Sequence, residues 1–109
     1  MIVRTWHGVT PEAKVDAYMA YLRETGIREY RETPGNRGVY VLVRRHGGRA
    51  DWLIVSLWDS IDAIRGFAGP DIEKAVFYPR DREYFLEMDP TASHYDVVAS
   101  AGDVTHGPR

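Results

Sequence analysis

The stretch Asp51–Ala68, DWLIVSLWDSIDAIRGFA, decides how this chain folds. Trp52 to Trp58 is an apolar run of strand length that meets a helix start at Asp59-Ser60 with almost no loop. Ile61, Ile64, Phe67 and Ala68 then recur at helical spacing, so a buried strand feeds directly into a short amphipathic helix. Both parities of the strand are apolar, which predicts that both of its faces are covered. Upstream, GVYVLVRR (Gly38–Arg45) reads as a β-branched strand, and His46-Gly47-Gly48-Arg49-Ala50 is the hairpin that pairs it with Trp52–Trp58.

Further outward, Ile2–His7 is a first strand with Ile2, Arg4 and Trp6 on one face and Val3, Thr5 and His7 on the other. Thr10 reads as an N-cap and Pro11 as the first helical residue. Val15, Tyr18, Met19 and Leu22 form the apolar stripe of the helix that follows, which Gly26 ends. Ile27–Glu32 continues it as a broken turn before the turn cluster Thr33-Pro34-Gly35-Asn36. Gly69-Pro70 stops the second helix, further helical turns are expected at Asp71–Val76 and Pro79–Phe85, and His94–Val98 is the last strand. The order is β-α-β-β-α-β: an α+β, ferredoxin-like unit with a four-stranded antiparallel sheet and helices on one face. Residues 1–98 form the domain and 99–109 a frayed polar tail. The bare sheet face is expected to meet a second copy of the chain, giving a homodimer.

The 109 residues are 44% hydrophobic and carry a formal charge of -2. This balance argues against nucleic acid as a main partner, which would require a basic stripe. Apolar runs fall short of a membrane span, and the N-terminus enters a strand without a signal-peptide pattern, so a cytoplasmic protein is expected. The chain contains no cysteine, so thiolate chemistry and disulfides are excluded. No metal site is expected, because the histidines and acids lack ligand spacing. No phosphate loop or nucleophile elbow is present either.

The Trp6-His7-Gly8 end of the first strand, the Asn36–Arg45 strand, and Ser56-Leu57-Trp58-Asp59-Ser60 with Ala63 and Phe67 together resemble the antibiotic biosynthesis monooxygenase family, within the dimeric α+β barrel superfamily. The likeness extends over residues 1–98. It implies a ligand site between sheet and helices in each protomer, and an activity among cofactor-independent quinone-forming monooxygenases or heme-degrading monooxygenases. The heme-degrading branch uses an Asn late in strand one, a Trp late in helix two and a His in the next helical segment. By position these resemble His7, Phe67 and Phe77, and none of the three residue types is kept. With Phe77 at the usual axial histidine position, the expected cofactor is none.

His7 is the candidate catalytic base, at a strand end beside Gly8. Tyr40, which shares a face with Leu42 and Arg44, could bond a polar ligand edge or belong to the dimer interface. Trp58 either anchors the strand–helix junction or lines the pocket. Phe67 and Phe77 form an apolar wall or core, and Tyr78 presents its hydroxyl to the pocket mouth. His46 and His106 are read as solvated, His94 as an edge residue, and Asp81, Glu83 and Glu87 as an exposed charged face. The function expected is cofactor-independent oxygenation of an aromatic or polyketide-like small molecule by His-assisted proton abstraction. The alternatives are a non-catalytic binder of heme or an apolar ligand, or an isomerase or cyclase.

Overall fold

In the computed structural model, which describes residues 1–102, the elements are β1 (Ile2–Pro11), α1 (Val15–Glu24), α2 (Gly26–Glu32), β2 (Asn36–His46), β3 (Arg49–Trp58), α3 (Ile61–Ala68), β4 (Glu87–Met88) and β5 (Ser93–Asp96). His106 and the end of the tail lie outside the described residues. The antiparallel sheet runs β2-β3-β1, with β4 and β5 sharing the far edge of β1. Glu87–Met88 pairs with Gly8–Val9, and Ser93–Asp96 pairs with Ile2–Thr5. The expected last strand, His94–Val98, is Ser93–Asp96, and Glu87–Met88 is a further short strand on the same edge that the sequence reading did not include. Asp89-Pro90 separates the two because proline cannot donate to a ladder.

The β2–β3 turn places Gly47 and Gly48 at φ +57° and +77°, the conformation a two-residue hairpin of matching twist requires. Ser60 caps α3 by accepting a hydrogen bond from the Ala63 amide at 3.1 Å. Gly35 lies so close to α3 that a side chain there would sit 2.5 Å from the Ala63 Cβ. The core lies between the helices and one face of the sheet: Val15, Tyr18, Leu22, Tyr30, Trp52, Ile54, Trp58, Ile64 and Phe67 are buried there. Its polar atoms are paired, Trp52 Nε1 donating to Thr10 Oγ1 at 3.0 Å and Trp58 Nε1 to Ser56 Oγ at 2.8 Å.

Four expectations are corrected. Thr10 does not cap a helix: β1 continues to Pro11, and the buried Thr10 hydroxyl is held by Trp52 instead. Asp71–Val76 is not helical: Arg4 donates to the Ile72 and Lys74 carbonyls, and the Ala75 and Ala92 amides donate to the Pro90 and Glu73 carbonyls. Pro79–Phe85 retains only a single 3-10 turn at Asp81–Glu83. Asp81 is buried, because its carboxylate accepts the Tyr78 amide at 2.8 Å. Together, residues 69–86 form a strap across one end of the layer between helices and sheet, with Ile72, Val76, Tyr84 and Phe85 packed on the core.

Candidate functional site

The site starts with the pleat of β1. Ile2, Arg4 and Trp6 point toward the helices, and Val3, Thr5 and His7 point away. The inward residues open onto a narrow cavity lined by Arg4, Trp6, Tyr18, Tyr30, Phe67 and Tyr78, with Ile54 as its floor on β3 and Asp81 on the strap. About 30 Å³ of it is open to a water-sized body, room for a water molecule or two. The aromatic rings interlock around it. Tyr30 stacks on Phe67 at 4.5 Å between centroids, and Trp6 meets Phe85 edge-on at 5.4 Å. Gly8 makes the second contact possible, since a Cβ there would lie 2.5 Å from the Trp6 ring and 2.7 Å from that of Phe85. The Trp6 indole is fixed by donating to the Asp89 carbonyl at 2.7 Å.

Two charged groups enter this lining. Arg4 is 3% exposed, and its guanidinium donates to the carbonyls of Ile72 and Lys74 and lies 2.9 Å from His94 Nε2. Its Cζ is 5.9 Å from the Phe67 ring centre. Burial lowers the Arg4 pKa, and Tyr30 partly opposes this. His94 stands directly across from Arg4 in the β1–β5 ladder. It is on the edge strand, as expected, but its ring turns to the helix side. Burial first and then the Arg4 charge lower its pKa, so the ring is neutral and Nε2 accepts from Arg4. Asp81 is the other charge. Burial raises its pKa, while the Tyr78 amide draws it back.

The tyrosines stay protonated. Burial pushes the Tyr30 hydroxyl up to about 12, with Arg4 and a hydrogen bond to Ser56 pulling the other way. Burial likewise raises Tyr18. Tyr78 is raised by burial and then by its 2.8 Å hydrogen bond to Glu29.

Of the residues singled out from sequence, Phe67 and Tyr78 line the cavity together. Trp58 lies behind Phe67, fully buried at 5.5 Å between ring centres, and does not reach the lining. Phe77 is 46% exposed and meets Trp6 edge-on at the outer side of the strap. Tyr40 is 50% exposed on the face away from the helices. His7 is on that same outer face, half exposed, with Nδ1 3.8 Å from Asp89 and Leu53 across the ladder. It does not stand at the polar end of the helix-side cavity. The inward position is Trp6, and an offset of one residue along a strand changes the face. Arg4, Trp6, Tyr18, Tyr30 and Asp81 complete the site. For Arg4 the sign was its inward parity with Ile2 and Trp6; Tyr18 was visible in the helical stripe; Tyr30 and Asp81 carried no local signal.

No protein-family model matches this chain, and no curated protein does. Solved structures do match. A crystal structure of a candidate antibiotic biosynthesis monooxygenase from Bacillus cereus is 16% identical with a TM-score of 0.63, covering 94% of this chain and 97% of that one. Another antibiotic biosynthesis monooxygenase is 14% identical with a TM-score of 0.64, covering 91% and 100%. The heme-degrader MhuD from Mycobacterium tuberculosis, with two hemes bound in its active site, is 19% identical with a TM-score of 0.56, covering 94% and 100%. The chain has the ferredoxin-like fold of antibiotic biosynthesis monooxygenase-type structures.

That fold accommodates heme in MhuD, but the lining here does not suit it. No imidazole is among the side chains that form the cavity. Tyr30, in the same lining as Arg4, remains a phenol at neutral pH. Among the described residues no cluster of three or more His, Cys, Asp or Glu could hold a metal ion, and no helix is long and apolar enough to cross a membrane.

Proposed function

We propose that the helix-side cavity binds an electron-rich aromatic or polyketide-like small molecule and that the protein oxygenates it without a cofactor. The observation that carries this is the aromatic cavity with one buried carboxylate, Asp81, in its lining. Ring walls from Trp6, Tyr18, Tyr30 and Phe67 suit a flat substrate. A buried acid whose pKa is raised is a suitable proton acceptor. His7, the base expected from sequence, faces the other side of the sheet, and Asp81 takes that role in this reading. Because the cavity is narrow, a ring enters only when the strap moves outward; ligand pockets ordinarily hold about 300 Å³ or more.

In an anthrone, Asp81 takes a proton from the reactive ring carbon and leaves a carbanion delocalised onto the carbonyl oxygen. The carbanion gives its electrons to molecular oxygen. One oxygen atom becomes the new carbonyl of the quinone, and the other leaves as water with the two hydrogens of that carbon. Burial in a dry site favours this charge dispersal.

Oxygen uptake by purified protein supplied with anthrone tests the proposal. Uptake with quinone formation is expected without added metal or flavin. Asp81→Asn is expected to lower the rate by about 10² to 10⁴. The rate of the native protein is expected to fall as pH drops through the Asp81 pKa, which lies above the ordinary 3.8. Turnover without oxygen would identify an isomerase or cyclase. Binding without turnover would leave a carrier, and a requirement for heme or flavin would overturn the cofactor-free reading.

The outer sheet face supports the second part of the proposal, a homodimer. Tyr40, Leu42 and Leu53 are all substantially exposed there, adjacent in the β2–β3 register. Such a patch is the ordinary mark of an association surface. Analytical ultracentrifugation at micromolar concentration is expected to give a dimer, and a monomer would remove this part of the reading.

A further inference from the structure

The geometry points to a ligand that carries an anionic oxygen, a carboxylate or an ionised phenol, read by Arg4 from inside the cavity. This rests on the cavity being the ligand site and specifies what enters it.

The distribution of arginine partners is the basis. Arg28, Arg37, Arg49, Arg65 and Arg80 each meet a carboxylate: Glu32, Asp59, Glu87, Asp62 and Glu83. All five pairs lie at the surface, where water already solvates both charges and pairing contributes little. Arg4, the most deeply buried arginine, has no carboxylate within ion-pair distance among the described residues. Its partners are two backbone carbonyls and a neutral imidazole. These satisfy hydrogen bonds without cancelling the charge. Buried charges in proteins are usually paired or bound to an ion, so the opposite charge has a natural place in the cavity beside Arg4.

The donors are available. A guanidinium has five N–H groups, and three of Arg4's have partners here. A planar fork with free N–H groups matches a carboxylate. The neighbouring walls are aromatic, with the Phe67 ring against the guanidinium, so the anion expected is attached to a flat ring rather than a bare inorganic ion. Arg4 also holds the strap through the Ile72 and Lys74 carbonyls. A carboxylate is a stronger acceptor than either carbonyl, so the ligand that satisfies Arg4 also competes for the bonds that keep the strap closed.

Isothermal titration calorimetry with 2-naphthoate and 2-naphthamide at neutral pH tests this, since the two probes share a ring and differ in charge. The native protein is expected to bind the carboxylate about tenfold or more tightly than the amide. Arg4→Gln, checked for folding by near-UV circular dichroism, is expected to erase that preference, and Arg4→Lys to keep part of it. Equal affinities in the native protein, or a preference undiminished in Arg4→Gln, would overturn the inference while leaving the aromatic cavity standing. If Arg4→Gln does not fold, the native ratio and Arg4→Lys decide: a preference untouched by Lys, which lacks the fork, counts against Arg4. Failure of both probes to bind would remove the cavity reading and this inference together.

Discussion

The two faces of one sheet carry the same kinds of residue and use them differently. Toward the helices, Trp52, Ile54 and Trp58 are buried, and even Arg4, Ser56 and Thr10 are held out of water, each making hydrogen bonds within the protein. On the outer face, Tyr40, Leu42 and Leu53 are apolar yet exposed, and His7 stands among them with only a distant carboxylate. A single residue of offset on β1 separates Trp6 from His7. In a half-buried sheet, then, residue type says less about function than parity does: the charged Arg4 belongs to the cavity and the functional-looking His7 does not.

The largest effect that tests this contrast is on stability. Trp58→Ala removes a fully buried indole that packs against Phe67 and Tyr30, and is expected to cost about 3–5 kcal/mol in urea unfolding. Leu53→Ala on the outer face is expected to change the stability of the isolated protomer by no more than about 0.5 kcal/mol, and to appear instead as weaker self-association. Similar unfolding costs for the two would mean that the faces are not divided as described. Next in size is Gly8→Ala. The new methyl would overlap both the Trp6 and Phe85 rings, and the expected cost is about 1–3 kcal/mol, with a change in Trp6 fluorescence. A neutral Gly8→Ala would show that the rings have room to yield and that the cavity wall is soft.

How much of this could be read from the chain differs by region for physical reasons. The Asp51–Ala68 unit and the Gly47-Gly48 hairpin were legible because their signals are local: an apolar run, a capping serine, two adjacent glycines. The strap was not. Its helical spacing at Asp71–Val76 is overruled by bonds to residues far away in sequence, from Arg4 and from the Pro90–Ala92 segment. Asp81 likewise sits in a charged stretch that reads as solvated, and only the Tyr78 amide and the strap's path bury it. Phe67 is signalled by its place in the family resemblance and Tyr78 by its position just before Pro79, and both line the cavity. Arg4 shares its face with Ile2 and Trp6 in the sequence pattern, but nothing there marks it as a cavity residue, since arginine in a strand ordinarily marks the solvent side.

A smaller effect concerns His94, the residue that joins the inner face to the edge. Its pKa is lowered from the ordinary 6.5 in the folded protein. Between that lowered value and 6.5 the unfolded chain binds the proton more readily, so stability is full above 6.5 and declines as pH falls below it. His94→Gln keeps an acceptor for Arg4 and removes the titration. Its stability relative to the native protein is expected to improve steadily as pH drops from 7 to about 5. A native-minus-variant difference that does not change with pH would show that neither burial nor the Arg4 charge holds the ring neutral.

The smallest expected effect is also the sharpest on function. His7→Ala removes an imidazole whose nearest charged neighbour is Asp89 at 3.8 Å, both side chains about half exposed. It leaves the β1 backbone bond from the Asp89 amide to the His7 carbonyl in place. His7 is not among the residues that line the cavity, so naphthoate affinity and anthrone turnover are both expected to stay within a factor of about two, below the ~0.5 kcal/mol scale of ordinary surface substitutions. Asp81→Asn, made in parallel, should abolish most of the turnover while leaving the outer face unchanged. A large loss of turnover in His7→Ala with Asp81→Asn unaffected would reverse the assignment. It would place the chemistry on the outer face, where Leu42, Leu53 and Arg44 form a shallow groove with His7. The active species would then have to be the assembled dimer, because no single protomer encloses that groove, and activity would fall with dilution through the dimer dissociation range.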